Sequence, residues 1–152
     1  MGKCSLRNVA TAQWEFARLR EDDDYVYVDK TDMLAKLAMR EKDALYFIAR
    51  PRRFGKSLML TTLRCMFEGR RKLFRGLKIM KTGWDWKKTY PVILINMQTF
   101  KSPTPEGLEK SLYGGARAIA RQFGLRVRWK DCPDSGTAFT RTLEALGKRG
   151  RF

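Results

Sequence analysis

Histidine is absent from all 152 residues. That excludes Ser-His-Asp and Cys-His nucleophilic catalysis and the histidine-based zinc enzymes. Cysteine is scarce: Cys4, Cys65 and Cys132 are far apart, with no CxxC pair. Such an odd, unclustered set argues against a disulfide framework and against a zinc site. Cys65, at an apolar position of a helical pattern, reads as a small core residue. No apolar run approaches the roughly 18 residues that a membrane span needs. The N-terminal "MGKCSLRNVA" lacks the hydrophobic segment of a signal peptide. These absences predict a cytoplasmic protein with no membrane partner.

Acidic residues are also in short supply, 16 against 32 lysines and arginines, giving a net charge of +16. The excess is uneven. Between residues 40 and 90 fifteen cations face four acids, and between 110 and 152 ten face three. Charge of this kind invites a nucleic-acid partner, because it neutralises phosphates. Solvated surface is the plainer reading. With 43% hydrophobic residues the chain has enough apolar material for one domain with a core.

Along the chain, "ATAQWEFARLREDDD" predicts a short amphipathic helix ending in an acidic cluster. Asp22, Asp23 and Asp24 point in different directions and read as a solvated turn, not a metal site. "YVYV" (Tyr25 to Val28) has strand composition. Thr31 follows as a candidate N-cap, with Leu34, Leu37 and Ala38 on one helical face. "ALYFIA" (Ala44 to Ala49) and "VILIN" (Val92 to Asn96) are continuous apolar runs of the kind that suits strands buried on both faces. Between them, Leu60, Leu63 and Phe67 fall at helical spacing, and Gly69 suits a helix end.

Thr104 and Pro105 start another helix, with Leu108, Leu112, Ala116, Ile119 and Phe123 in register and Gly124 at its close. Gly115 permits close packing there. A last helical pattern groups Phe139, Leu143 and Leu146, stopped by Gly147. Strands alternating with helices predict an α/β fold with a mainly parallel sheet.

The stretch "FIARPRRFGKSLML" (Phe47 to Leu60) carries the chemistry. Walker A loops read G-x-x-x-x-G-K-[ST] between a strand and a helix. Here Gly55, Lys56 and Ser57 supply the ending, and Arg50 holds the first-glycine position. Backbone N–H groups from Arg53 through Phe54 to Ser57, beside a helix N-terminus, can cradle phosphate oxygens. Gly55 lets the backbone come close, Lys56 reaches the β- and γ-phosphates, and the Ser57 hydroxyl ligates Mg²⁺. Pro51 fixes the turn that a first glycine would ease. Arg50 and Arg52 stand where they can add phosphate contacts. The plain alternative is a basic turn before a helix.

"YVYVDKTDMLAKL", "FIARPRRFGKSLMLTTLRCMFEGRRKLFRGLKI" and "YPVILIN" resemble the predicted AAA-ATPase-like family, P-loop proteins recurrent in bacteria. The resemblance runs from about Phe16 to Gly150, after a variable segment at residues 1–15, and the R-P-R-R-F-G-K-S-L string makes it specific. It implies a P-loop NTPase-type three-layer αβα fold, with ATP and Mg²⁺ as ligands. It makes Arg50 a family variant, assigns phosphate binding to Gly55, Lys56 and Ser57, and implies a role near the site for Asp29, Lys30 and Thr31. A helix start is the plain alternative for those three.

One departure from the family is plain. "VILINM" ends its run in Asn96, not in the acids of a Walker B strand, and no later apolar run leads into Asp or Glu. The expectation is therefore the N-terminal part of a P-loop domain over residues 16–152, with its later strands absent. It binds MgATP without hydrolytic competence of its own. The rival reading is a basic nucleic-acid-binding module across residues 50–90, using Arg50, Arg52, Arg53, Arg70, Arg71, Lys72 and Arg75. In that reading Phe54, Phe74, Trp84 and Trp86 stack on bases.

Overall fold

Helix starts and stops dominate the architecture, because the sequence places capping residues and glycines where helical patterns begin and end. The computed structural model describes residues 8–9, 13–22, 24–40, 45–49 and 51–149. Cys4, Asp23, Ala44 and Arg50, singled out above, lie outside them. The chain divides into two units, Met1–Val92 and Ile93–Phe152.

In the first unit a strand β1 (Asn8–Val9) pairs in parallel with β2 (Tyr25–Val26), flanking helix α1 (Phe16–Glu21). Helices α2 (Thr31–Ala38) and α3 (Lys56–Phe67) follow, and then two short 3-10 helices, Arg71–Phe74 and Lys78–Lys81. Phe16, Cys65, Met66, Phe74 and Ile79 are buried at the centre. Phe16 meets Phe74 at 4.8 Å and Tyr27 edge-on at 5.3 Å. Each large apolar side chain removed from water contributes about 1.5–3 kcal/mol. Cys65 is a core thiol, and burial pushes its pKa up.

Helix α3 ends as its glycine predicts. Gly69 adopts φ +71, Arg70 N–H donates to Cys65 O at 3.0 Å and Gly69 N–H to Met66 O at 3.2 Å. These are the paired bonds that close a helix on a left-handed residue.

The second unit is built on helices α4 (Pro105–Gln122) and α5 (Ser135–Lys148). Thr104 Oγ1 accepts the Gly107 N–H at 3.2 Å, and Asp134 Oδ1 accepts the Thr137 N–H at 2.7 Å. The same bonds from Thr137 hold the Asp134 carboxyl below its usual value. Glu109 reaches across from α4 to take the Ser135 backbone N–H and, at 2.9 Å, its hydroxyl. Ala116, Cys132 and Ala138 are buried between the elements, with Tyr113, Trp129 and Phe139 against them. Gly115 does permit close packing: a Cβ there would stand 2.6 Å from the Phe100 ring.

Several expectations are corrected. The three-layer αβα fold with a mainly parallel sheet is not what forms: the structure is mostly helical, and β1–β2 is the one sheet among the described residues. Residues 45–49 and 92–96 are not strands. Leu45 and Phe47 are 98% and 93% exposed, and Leu94 and Ile95 stand in solvent as well. A strand exists only where a second backbone takes up its N–H and C=O groups, and no ladder forms beside either run.

In α3, Leu63 and Phe67 pack against the core as their spacing predicts, but Leu60 is exposed, and Thr61, Thr62, Cys65 and Met66 are the buried residues. In α5, Leu143 is exposed, Ala138, Thr142 and Leu146 are buried, and Gly147 lies inside the helix, not at its stop. Thr31 is the first residue of α2 and Lys30 holds the N-cap position.

Candidate functional site

The loop between Pro51 and α3 is bent by two residues in the left-handed region, Arg53 at φ +65 and Gly55 at φ +73. Gly55 suits this conformation because it has no Cβ to oppose it. Arginine is an uncommon choice there, and a residue held so marks a backbone fixed by its surroundings. Gly55 is also the N-cap of α3, and its carbonyl accepts the first helical bond, from Met59 N–H at 2.9 Å. A glycine has no side chain with which to cap. Thr104 and Asp134 cap α4 and α5, whereas among the described residues the first N–H groups of the 12-residue α3 receive no side-chain cap from its N-cap residue. They point toward the loop with the positive end of the helix dipole behind them.

The loop side chains are placed as follows. Arg52, Arg53, Phe54 and Ser57 are exposed, Phe54 to 66%. Lys56 is half-buried, and its Nζ donates to Pro51 O at 2.9 Å, so the ammonium lies folded back across the loop. A Cβ built at Gly55 meets nothing within 4 Å among the described residues, so the space beside this glycine is open. Charge, uncapped N–H groups and space coincide, which is the chemistry of an anion cradle. Among the described residues no group of three His, Cys, Asp or Glu side chains is placed to hold a metal. The Ser57 side chain is exposed at the start of α3.

The Asp29–Lys30–Thr31 segment does something different. Asp29 Oδ1 accepts from the Thr31 N–H at 2.9 Å and the Thr31 hydroxyl at 2.7 Å, while Oδ2 accepts the Lys78 N–H at 2.7 Å. Thr31 Oγ1, fully buried, in turn accepts the Ile79 N–H at 3.0 Å. Partial burial pushes the Asp29 carboxyl up, but the bonds from Thr31 and Lys78 and the nearby Lys78 ammonium outweigh it and hold the pKa below its usual value. Lys30 is exposed. Asp29 and Thr31 thus start α2 and fasten it to the second 3-10 helix, and both Asp29 oxygens are occupied there. A carboxylate two residues before a helix, followed by a threonine, is a local capping pattern. Its attachment to residues 78 and 79 has no local signal.

The stacking aromatics of the nucleic-acid reading are corrected. Phe74 is fully buried, and Trp84 and Trp86 pack against the core, Trp84 on Phe67 at 5.4 Å and Trp86 on Phe74 at 5.0 Å. Only Phe54 of the four stands exposed. Asn96 caps a short 3-10 helix, Met97–Thr99, by accepting the Gln98 N–H at 3.0 Å.

Comparison with known proteins adds the lineage. A protein of Azotobacter chroococcum mcd 1, described as "Uncharacterized protein in vnfD 5'region", is 51% identical over 81 residues, which is 53% of this chain. The chain spans only 15% of that relative's length. No solved structure matches the chain. The sequence model of the family described as predicted AAA-ATPase matches residues 12–149, nearly the whole length, and the chain belongs to that AAA-ATPase-like family.

Proposed function

We propose that this chain binds MgATP through the Arg53–Ser57 loop. The observation that carries the proposal is the start of α3: a glycine at the N-cap position, with no side chain to cap the helix and open space where its Cβ would stand, two residues after a left-handed arginine. In a protein of an ATPase family such a start fits a nucleotide's phosphates. The N–H groups of Gly55, Lys56 and Ser57 orient the phosphates, and Lys56 exchanges the Pro51 carbonyl for phosphate oxygen. Ser57 would offer its hydroxyl to Mg²⁺, and the ion would supply positive charge to the phosphates. Arg52, with Arg50 two residues before it in sequence, adds positive charge at the loop entrance. Arg50 lies outside the described residues.

The proposal is of binding and not of turnover. Hydrolysis also needs an acid for the metal and a group that positions water, and this loop presents neither. Isothermal calorimetry of MgATP with the parent chain and with Lys56→Ala tests the reading. Loss of a charged phosphate contact is expected to cost about 2–3 kcal/mol. Equal affinities for the two chains would falsify it.

A further inference from the structure

The segment from Arg70 to Thr82 carries six lysines and arginines and no acid. Its backbone makes one three-residue turn after another. N–H groups of Leu73, Arg75, Leu77, Met80 and Thr82 each donate to the carbonyl three residues earlier, at 3.0 to 3.4 Å. The middle turn, Phe74 to Leu77, has Arg75 at φ −55, ψ 132 and Gly76 at φ +77. This is a type II corner, which requires its glycine. Side chains recurring every third residue lie on one side of such a chain. Phe74 and Leu77 are buried, whereas Lys72, Arg75, Lys78 and Lys81, together with Arg71, are all exposed. Within the second 3-10 helix Lys78 and Lys81 stand one turn, about 6 Å, apart along the axis.

None of these five cations forms an ion pair within 4 Å among the described residues, and the acid that Lys78 influences is Asp29, whose oxygens are held by the Thr31 N–H and hydroxyl and the Lys78 backbone N–H. Glu68, the nearest acid before them, is engaged by Arg64 and Arg70 at 2.8 Å each. The backbone beneath the cations is fixed from elsewhere in the unit. Arg20 donates from Nε to Leu73 O and from a terminal nitrogen to Arg75 O, both at 2.9 Å. Asp29 holds the Lys78 N–H and Thr31 the Ile79 N–H. A row of cations on a backbone pinned at four points is organised before any partner arrives, so little ordering opposes binding.

We propose that Arg71, Lys72, Arg75, Lys78 and Lys81 form a platform for the phosphate backbone of nucleic acid, bound without regard to sequence. The apolar residues of the segment are turned inward, which leaves no wedge for a bilayer and no hydrophobic anchor for a peptide. The exposed row is purely cationic and carries no aromatic to stack on a base, so the contact is to phosphates and not to base edges. This segment shares no residue with the Arg53–Ser57 loop, and the proposal does not depend on nucleotide binding there.

The test is titration of the full chain with a fluorescent 20-base-pair DNA of mixed sequence across a range of NaCl concentrations. Log affinity should fall steeply against log salt. In Lys72→Gln/Lys78→Gln/Lys81→Gln the slope should lessen by about 2–3, with roughly tenfold or greater loss of affinity near 0.1 M salt. Far-ultraviolet circular dichroism and a melt establish that the variant is folded. Lys101→Gln/Lys110→Gln/Lys130→Gln removes the same charge from the second unit, and should change both quantities much less. The proposal is overturned if the two triple variants lose affinity equally, or if the first keeps the parental slope. It is also overturned if poly-glutamate displaces the DNA at equal charge concentration, which would make the partner an acidic protein.

Discussion

Asp29 and Lys78 are 49 residues apart in sequence and are joined by a 2.7 Å bond from the Lys78 backbone N–H to Asp29 Oδ2. The other oxygen of the same carboxylate takes two bonds from Thr31. Asparagine can reproduce one of these oxygens and must present an NH₂ in place of the other. Asp29→Asn should therefore destabilise the first unit by about 1–2 kcal/mol, the scale of one lost charge-assisted bond. The pKa of Asp29 is lowered in the folded chain, so its contribution is complete above the ordinary carboxylate value of about 3.9 and disappears as pH falls through the lowered one. Urea melts of parent and variant should differ at pH 7 and converge at acid pH. A difference that persists unchanged at acid pH would show that the charge is not what matters.

Arg53 occupies a backbone conformation that glycine adopts without penalty. Arg53→Gly should raise the stability of the loop by roughly 1 kcal/mol, the cost of placing a side chain in the left-handed region. If the guanidinium contacts phosphate, the same change weakens ATP more than adenosine. Paired titrations with the two ligands decide the matter, and equal losses would assign Arg53 to folding and not to binding.

Two glycines make a contrasting pair. Gly69 combines φ +71 with a Thr89 methyl 2.7 Å from where a Cβ would stand, so Gly69→Ala should cost about 1–3 kcal/mol. Gly114 lies on the exposed side of α4 with ordinary helical backbone and nothing within 4 Å. There Gly114→Ala should stabilise by about 0.5–1 kcal/mol. Thermal melts of the two variants should move in opposite directions.

Local chemistry was legible at most helix ends, Thr31 and Gly147 excepted, and long-range pairing was not. Thr104-Pro105, Gly69 and Gly124 mark helix ends through their own side chains, or lack of them, and the helices end where they indicate. The start of α3 at Gly55 was legible for the same reason. Residues 45–49 and 92–96 were misread because an apolar run reports hydrophobicity, whereas a strand depends on a partner backbone elsewhere.

The inward face of α3 was read only in part, for a subtler reason. Thr61 and Thr62 are buried because their hydroxyls are satisfied, Thr61 by Trp14 O at 2.7 Å and Thr62 by Leu58 O at 2.8 Å. Thr142 does the same with Ala138 O in α5. A threonine that returns its proton to the backbone presents a methyl to the core, and a hydrophobicity pattern counts it as polar. The attachment of Asp29 and Thr31 to residues 78 and 79 was invisible until the chain was folded.

The seating of Phe100 on Gly115 carries a consequence for how this sequence can drift. The ring lies where any Cβ at position 115 would stand, with separations of 2.6 and 2.8 Å to its Cε1 and Cζ. The two positions therefore share one fixed volume, and a gain at one requires a loss at the other. Gly115→Ala alone should destabilise the second unit, and adding Phe100→Leu should recover part of that loss, a coupling that a double-mutant cycle measures directly. In homologous chains, alanine or serine at 115 should be accompanied by a residue smaller than phenylalanine at 100.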